Sequence, residues 1–258
     1  SVRRQGVDRC EVVFADDASP SSATRDWLRA QAGRPGMRVV FCEKNGGIAA
    51  ATNAGLAAAH GTWVALLDHD DVIPPFAVSR IAAALQERPD TLYLYTDELV
   101  TDERLRPISF FLKPAWDPVL FSGVNYANHL SVYRRDRLVA LGGLAEGFQG
   151  SQDYELVLRY TDGLEADRIT HLPFVCYLWR RAETAFSVKQ LNTALDSARR
   201  ALSLHLGHGR PLPIDPALDP NLHRPRFDLL RETWPKVDVI VPNKDAFDLV
   251  STLFDGLR

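Results

Sequence analysis

The sequence predicts an α/β domain: a mostly parallel central sheet flanked by helices on both faces. Three observations predict it. Short apolar runs at residues 10–15, 37–42, 62–67 and 92–96 alternate with longer amphipathic or alanine-rich stretches. Runs this short, bounded by turn residues, suit buried strands better than helices, and strands that alternate with helices pair in parallel. The third observation is bulk composition: 258 residues, 46% hydrophobic and 24% charged, suffice for one large core.

The elements follow in order. Residues 10–15 (CEVVFA) form the first buried strand. Ser21 or Ser22 caps a helix running to about Gln31. Residues 37–42 (MRVVFC) are the second strand, and 47–59 an alanine-rich helix that Gly61 stops. Residues 62–67 (TWVALL) are the third strand. Pro74 and Pro75 then open a helix that reaches Glu87. Residues 92–96 (LYLYT) are the fourth strand. Beyond it the pattern is less regular: a loop-rich aromatic stretch at 101–123, a short strand at 130–133, a helix at 151–160, strand material at 169–179 and an amphipathic helix at 187–206. The prolines at 211, 213, 216, 220, 225 and 235 make residues 209–236 an extended linker. A further strand, 237–241, and a helix from about Asp245 close the chain.

The charge balance, net −3 with both signs interspersed, speaks against a nucleic-acid partner. Cys10, Cys42 and Cys176 are far apart and form no CxxC pair, which argues against a zinc site or a disulfide framework and for a reducing compartment. No stretch approaches the roughly 20 apolar residues of a membrane span, and no signal peptide opens the chain. A cytoplasmic location, if only at the inner face of a membrane, is therefore expected.

Four segments carry candidate chemistry. Asp68, Asp70 and Asp71 follow the third strand directly. Carboxylates at the end of an apolar strand need compensation, which a divalent cation bridging a diphosphate supplies. If strand geometry persists, Asp68 and Asp70 point the same way. A solvated acidic turn capping the helix at Pro74 is the alternative. Asp16 and Asp17 end the first strand, where a carboxylate can accept the imide N–H of a uracil or thymine base, or simply cap the next helix. Asn45-Gly46-Gly47 opens the alanine-rich helix, where the backbone can approach an anion. A plain turn is the alternative; the third glycine of a dinucleotide fingerprint is missing, so NAD binding is not supported. Gly150-Ser151-Gln152-Asp153 starts a helix, and a carboxylate in a first turn stays ionised, as a general base must. Capping explains Asp153 as well.

In order, FADDAS, NGGIAAATNAG, TWVALLDHDD and GSQDYELVLR resemble the motifs of the inverting family-2 glycosyltransferases of GT-A fold. FLKPAWDPVLFSGVNYANHLSVYRR and ITHLPFVCYLWR are similar to the subgroup of bacterial surface-polysaccharide enzymes, O-antigen and rhamnosyltransferase-like, that often carry tandem domains. The likeness covers about residues 2–209. It implies a UDP- or dTDP-sugar donor and a glycan or lipid-linked glycan acceptor. It implies that Asp16 or Asp17 contacts the base, Asn45 lies near the nucleoside, Asp68 faces the ribose or diphosphate, and Asp70 ligates Mg²⁺ or Mn²⁺. Asp153 becomes the catalytic base, and Lys113, Trp116, Tyr126 and His129 acceptor-side candidates; an aromatic core with a snorkelling lysine accounts for them equally. Where relatives place a histidine after the Trp-Arg pair, this chain has Arg181, so His171 becomes a substitute ligand or Arg180 and Arg181 share the diphosphate charge. The family's opening strand and helix are also implied, of which only SVRRQ matches the end. On this view residues 1–208 are the transferase domain. Residues 237–258 begin a second one, whose strand is expected beside the first strand, within its own chain or by exchange between copies. A catalytically inactive sugar-nucleotide or glycan-binding module is the alternative function, and a nucleotidyltransferase a more distant one.

Overall fold

β1 (Val12–Asp16) pairs in parallel with β2 (Met37–Phe41), Val12 opposite Met37. The computed structural model describes residues 2, 5, 10–181, 191–227, 236 and 238–256. They divide into two units, 1–226 and 227–258.

In the first unit α1 (Ser22–Gln31) joins β1 to β2, and Ser21 caps it by accepting the Thr24 N–H at 3.2 Å. α2 (Gly47–Ala58) leads to a second, five-stranded sheet of β3 (Trp63–Ala65), β4 (Tyr93–Thr101), β5 (Pro107–Phe111), β6 (Ser131–Arg134) and β7 (Ile169–Arg180). β7 runs parallel to β4; β6 lies antiparallel between β3 and β4, so β3, β4 and β7 share a direction. β5 is antiparallel to β4. Consecutive β3 and β4 are thus not neighbours, because the short strand expected at 130–133 inserts between them.

The remaining helices are α3 (Ala77–Glu87), α4 (Pro118–Gly123), α5 (Arg135–Ala140), α6 (Gln152–Thr161) and α7 (Leu191–Leu206). Both faces of the second sheet are covered. Side chains alternate along β4, so Tyr93 and Tyr95 join one cluster with Tyr133, Tyr154, Tyr160 and Leu202. Leu94 faces the other way and joins Ile73, Ala77, Ile81 and Tyr177 beneath α3.

Three expectations are corrected. The stretch read as loop holds β5 and α4; all five β5 residues are exposed, so no alternation marked the strand. The segment read as an extended linker contains a small hairpin, β8 (Ile214–Pro216) with β9 (His223–Pro225). Proline is tolerated at such strand ends, and His223 stacks on Tyr154 at 6.0 Å. In the second unit α8 (Phe247–Gly256) forms as read, but residues 238–241 take no strand conformation. Val239, Ile240 and Val241 are 65%, 88% and 42% exposed: an apolar sequence is a strand only where a neighbour takes its backbone hydrogen bonds. The start of the 187–206 helix and Leu257 lie outside the described residues.

Candidate active site

β3 stops at Ala65, and a turn follows in which the Asp71 N–H donates to the Asp68 carbonyl at 3.2 Å. Strand geometry therefore does not persist to Asp68 and Asp70, and the turn places them. Its position is fixed from β7: Val72 and Leu178 exchange both backbone hydrogen bonds, at 3.2 and 2.8 Å. The three carboxylates consequently do different work. Asp71 is buried and accepts the Tyr177 hydroxyl at 2.6 Å and the Arg180 N–H at 2.7 Å. Burial raises its pKa, against the pull of those two bonds. Asp70 is exposed, and its carbonyl accepts the Arg180 Nε–H. Asp68 has a 61% exposed side chain on the floor of a cleft. Desolvation by the cleft walls, with Asp71, Asp153 and Asp70 nearby, raises its pKa; His129, 3.9 Å away, opposes this.

The end of β1 separates the next pair. Asp17 accepts the N–H groups of Gly46 and Gly47, at 2.7 and 2.8 Å, and Asn45 donates to its carbonyl at 3.2 Å. It caps α2, the helix after next, with both oxygens. Gly46 is required there, since a Cβ would come within 2.7 Å of the Ala50 Cβ. Asp16 is buried, and its Oδ2 accepts the Ser19 N–H at 3.3 Å; among the described residues its Oδ1 accepts no hydrogen bond.

Asp153 stands in the first turn of α6. Its Oδ2 accepts from Asn125 Nδ2 at 3.0 Å and from Asn128 Nδ2. Beneath that loop lies a buried polar network that the sequence did not announce. Lys113 Nζ, fully enclosed, donates to the carbonyls of Asn128 and His129 and stands 3.7 Å from Glu98. Burial pushes Lys113 down to about 8, against the opposing carboxylates Glu98 and Asp97. His129 faces Glu98 at 3.3 Å and stacks on Tyr177. Burial lowers its pKa, but Glu98, Asp68 and Asp153 outweigh that and leave it raised. His171 bonds Asp97 at 2.9 Å and stacks on Tyr95, so it is not a substitute metal ligand.

One open cleft of roughly 3140 Å³ is lined by Asp16, Asp17, Asp68, Asp70, Asp153 and Arg180. Asn125, Asn128 and His129 also line it. Of the acceptor-side candidates only His129 does so. Lys113 does not snorkel but braces the loop from within. Tyr126 is buried, bonded through its hydroxyl to the Asp117 backbone. Trp116 packs against Phe121, Tyr93, Tyr95 and Tyr126, so these two belong to the aromatic core. Asn45 lies outside the lining. Glu98, Asn125 and Asn128 were missed because single polar residues in apolar or loop stretches carry no pattern; the run NYANHL was the only available cue.

Among the described residues no three His, Cys, Asp or Glu side chains converge as a protein-only metal cage. A free Asp70 carboxylate, with Asp68 two residues before it, instead fits an ion that takes its other oxygens from a diphosphate.

Over 80% of the chain the fold matches Staphylococcus aureus TarS 1–349, at TM-score 0.58 and 20% identity, covering 66% of that structure. It also matches the Pyrobaculum calidifontis mannosyltransferase PcManGT, solved with GDP-Man and Mn²⁺, at TM-score 0.55 and 19% identity, over 80% of this chain and 57% of that one. These are GT-A folds. The O-antigen biosynthesis protein RfbC of Myxococcus xanthus is 36% identical across all of this chain, and the uncharacterized protein y4gI of Sinorhizobium fredii 32%. The chain spans only 20% and 29% of those relatives' own lengths. Residues 1–138, more than half of the chain, match the model described as Glycosyl transferase family 2, and the chain belongs to that family.

Proposed function

We propose that this chain is an inverting glycosyltransferase domain that moves a sugar from a UDP- or dTDP-linked donor to a hydroxyl of a glycan or lipid-linked glycan in cell-surface polysaccharide synthesis. One observation carries the reading: Asp153, held by two asparagine amides, opens into the same cleft as Asp16, Asp68, Asp70 and Arg180. Asp153 takes the acceptor's hydroxyl proton. The oxygen attacks the anomeric carbon from the face opposite the diphosphate, whose bond to that carbon breaks with its electron pair. Asp16 accepts from the base, and Asp68 faces the ribose or diphosphate. Arg180 lies against the Asp70 turn and shares the charge of the leaving group. Asp70 would hold Mg²⁺ or Mn²⁺, which supplies counter-charge to the diphosphate. None of the described helices is long and apolar enough to cross a membrane.

Incubating the protein with UDP- and dTDP-sugars plus Mn²⁺, and following nucleotide release, tests this. Release from one donor class, dependent on Asp153, is the expected result. Tight nucleotide binding with no release in the presence of glycan acceptors would point to a binding module.

On the same reading, residues 237–258 belong to a second transferase domain; their place in a unit of their own, 227–258, supports this.

A further inference from the structure

The loop between α4 and β6 carries two amides that converge on one carboxylate oxygen. Asn125 Nδ2 donates to Asp153 Oδ2 at 3.0 Å, and Asn128 Nδ2 donates to the same atom. A carboxylate only accepts, so both amides must turn their N–H groups toward it. For Asn125 this has a consequence: its Oδ1 is buried with no hydrogen-bond partner among the described residues. An orphaned buried acceptor is unfavourable, so this amide is placed for Asp153 and not for its own satisfaction.

The backbone beneath these amides is also held. Lys113 Nζ, with no exposed side-chain surface, donates to the carbonyls of Asn128 and His129, the latter at 2.5 Å. Among the described residues its ion-pair partner is Glu98, at 3.7 Å, and its backbone N–H donates to Asp97 at 2.9 Å. A buried ammonium bonded to two successive carbonyls leaves that stretch of loop little freedom.

We infer that Asn125 and Asn128 are positioning residues for Asp153, carried on a loop that the buried Lys113–Glu98 pair holds in place. The inference rests on the reading of Asp153 as the base. Two hydrogen bonds on Oδ2 restrain rotation of the carboxylate, and Oδ1, which accepts no hydrogen bond among the described residues, remains for the acceptor hydroxyl.

The test is a mutant cycle read by nucleotide release with a UDP-sugar and a glycan acceptor. Removing both amides in Asn125→Ala/Asn128→Ala should lower kcat by about tenfold to a hundredfold with KM unchanged. In an Asp153→Asn background the same two substitutions should cost nothing further, because residues that act through one group are not additive. Losses that multiply, or a wild-type kcat in the double variant, overturn the inference. Turnover of Asp153→Asn within about tenfold of wild type overturns the base reading instead, and the inference with it. Lys113→Arg, which keeps the charge but moves the donors, should lower kcat in the same way, and a wild-type kcat in the folded variant removes Lys113 from the device.

Discussion

Asp153→Asn is expected to lower transfer by about 10²–10⁴-fold, the usual cost of losing a general base, while nucleotide affinity stays at the wild-type value. The fold should not suffer. An asparagine can still present its carbonyl oxygen to Asn125 and Asn128, the two donors that Oδ2 now satisfies. Only the proton-accepting oxygen is replaced, by an amide NH₂. Steady-state nucleotide release and calorimetry with UDP or dTDP separate the two effects. Turnover within about tenfold of wild type removes Asp153 as the base.

The second large effect separates two neighbouring aspartates. Asp71→Ala strands the Tyr177 hydroxyl and the Arg180 N–H, both now bonded to the buried carboxylate. With about 1–3 kcal/mol for each unsatisfied group, a loss near 3 kcal/mol is expected. That corresponds to roughly 6–12 °C in Tm for a domain of this size. Asp70→Ala should leave Tm within about 2 °C, since its side chain is exposed and surface changes usually cost little. It should instead weaken Mn²⁺-dependent UDP binding by at least about tenfold, the lower bound seen even for groups one step removed from a metal. Calorimetry and thermal melts on both variants test this. Equal nucleotide affinity in wild type and Asp70→Ala would sink the ligand role, and an unshifted Tm in Asp71→Ala would sink the structural one.

Much of the fold was legible because it is written in short-range pattern. The apolar runs that became β1, β2, β3 and β4 are each bounded by turn residues, and α1, α2 and α3 start and stop within a few residues of where caps, glycines and prolines put them. Asp153 was legible for the same reason, as a carboxylate just inside a helix start. What the sequence determined by itself, then, was the local elements, the family likeness, and which segments carry charge to strand ends. Tertiary structure alone decided which of those charges are free. Asp17 and Asp71 read like Asp16 and Asp70, yet both their oxygens are taken by groups distant in the chain: Gly46 and Gly47 for one, Tyr177 and Arg180 for the other. Lys113, Trp116 and Tyr126 read equally as ligand contacts or as core, and packing chose the core: Lys113 and Tyr126 are buried, and Trp116 lies against Phe121 and Tyr126. The reason is physical: a side chain's chemistry is set by the partners that long-range packing brings to hydrogen-bond distance. Residues such as Glu98 and Asn128, 30 positions apart and joined through Lys113 and His129, leave no periodic trace of that meeting in the chain.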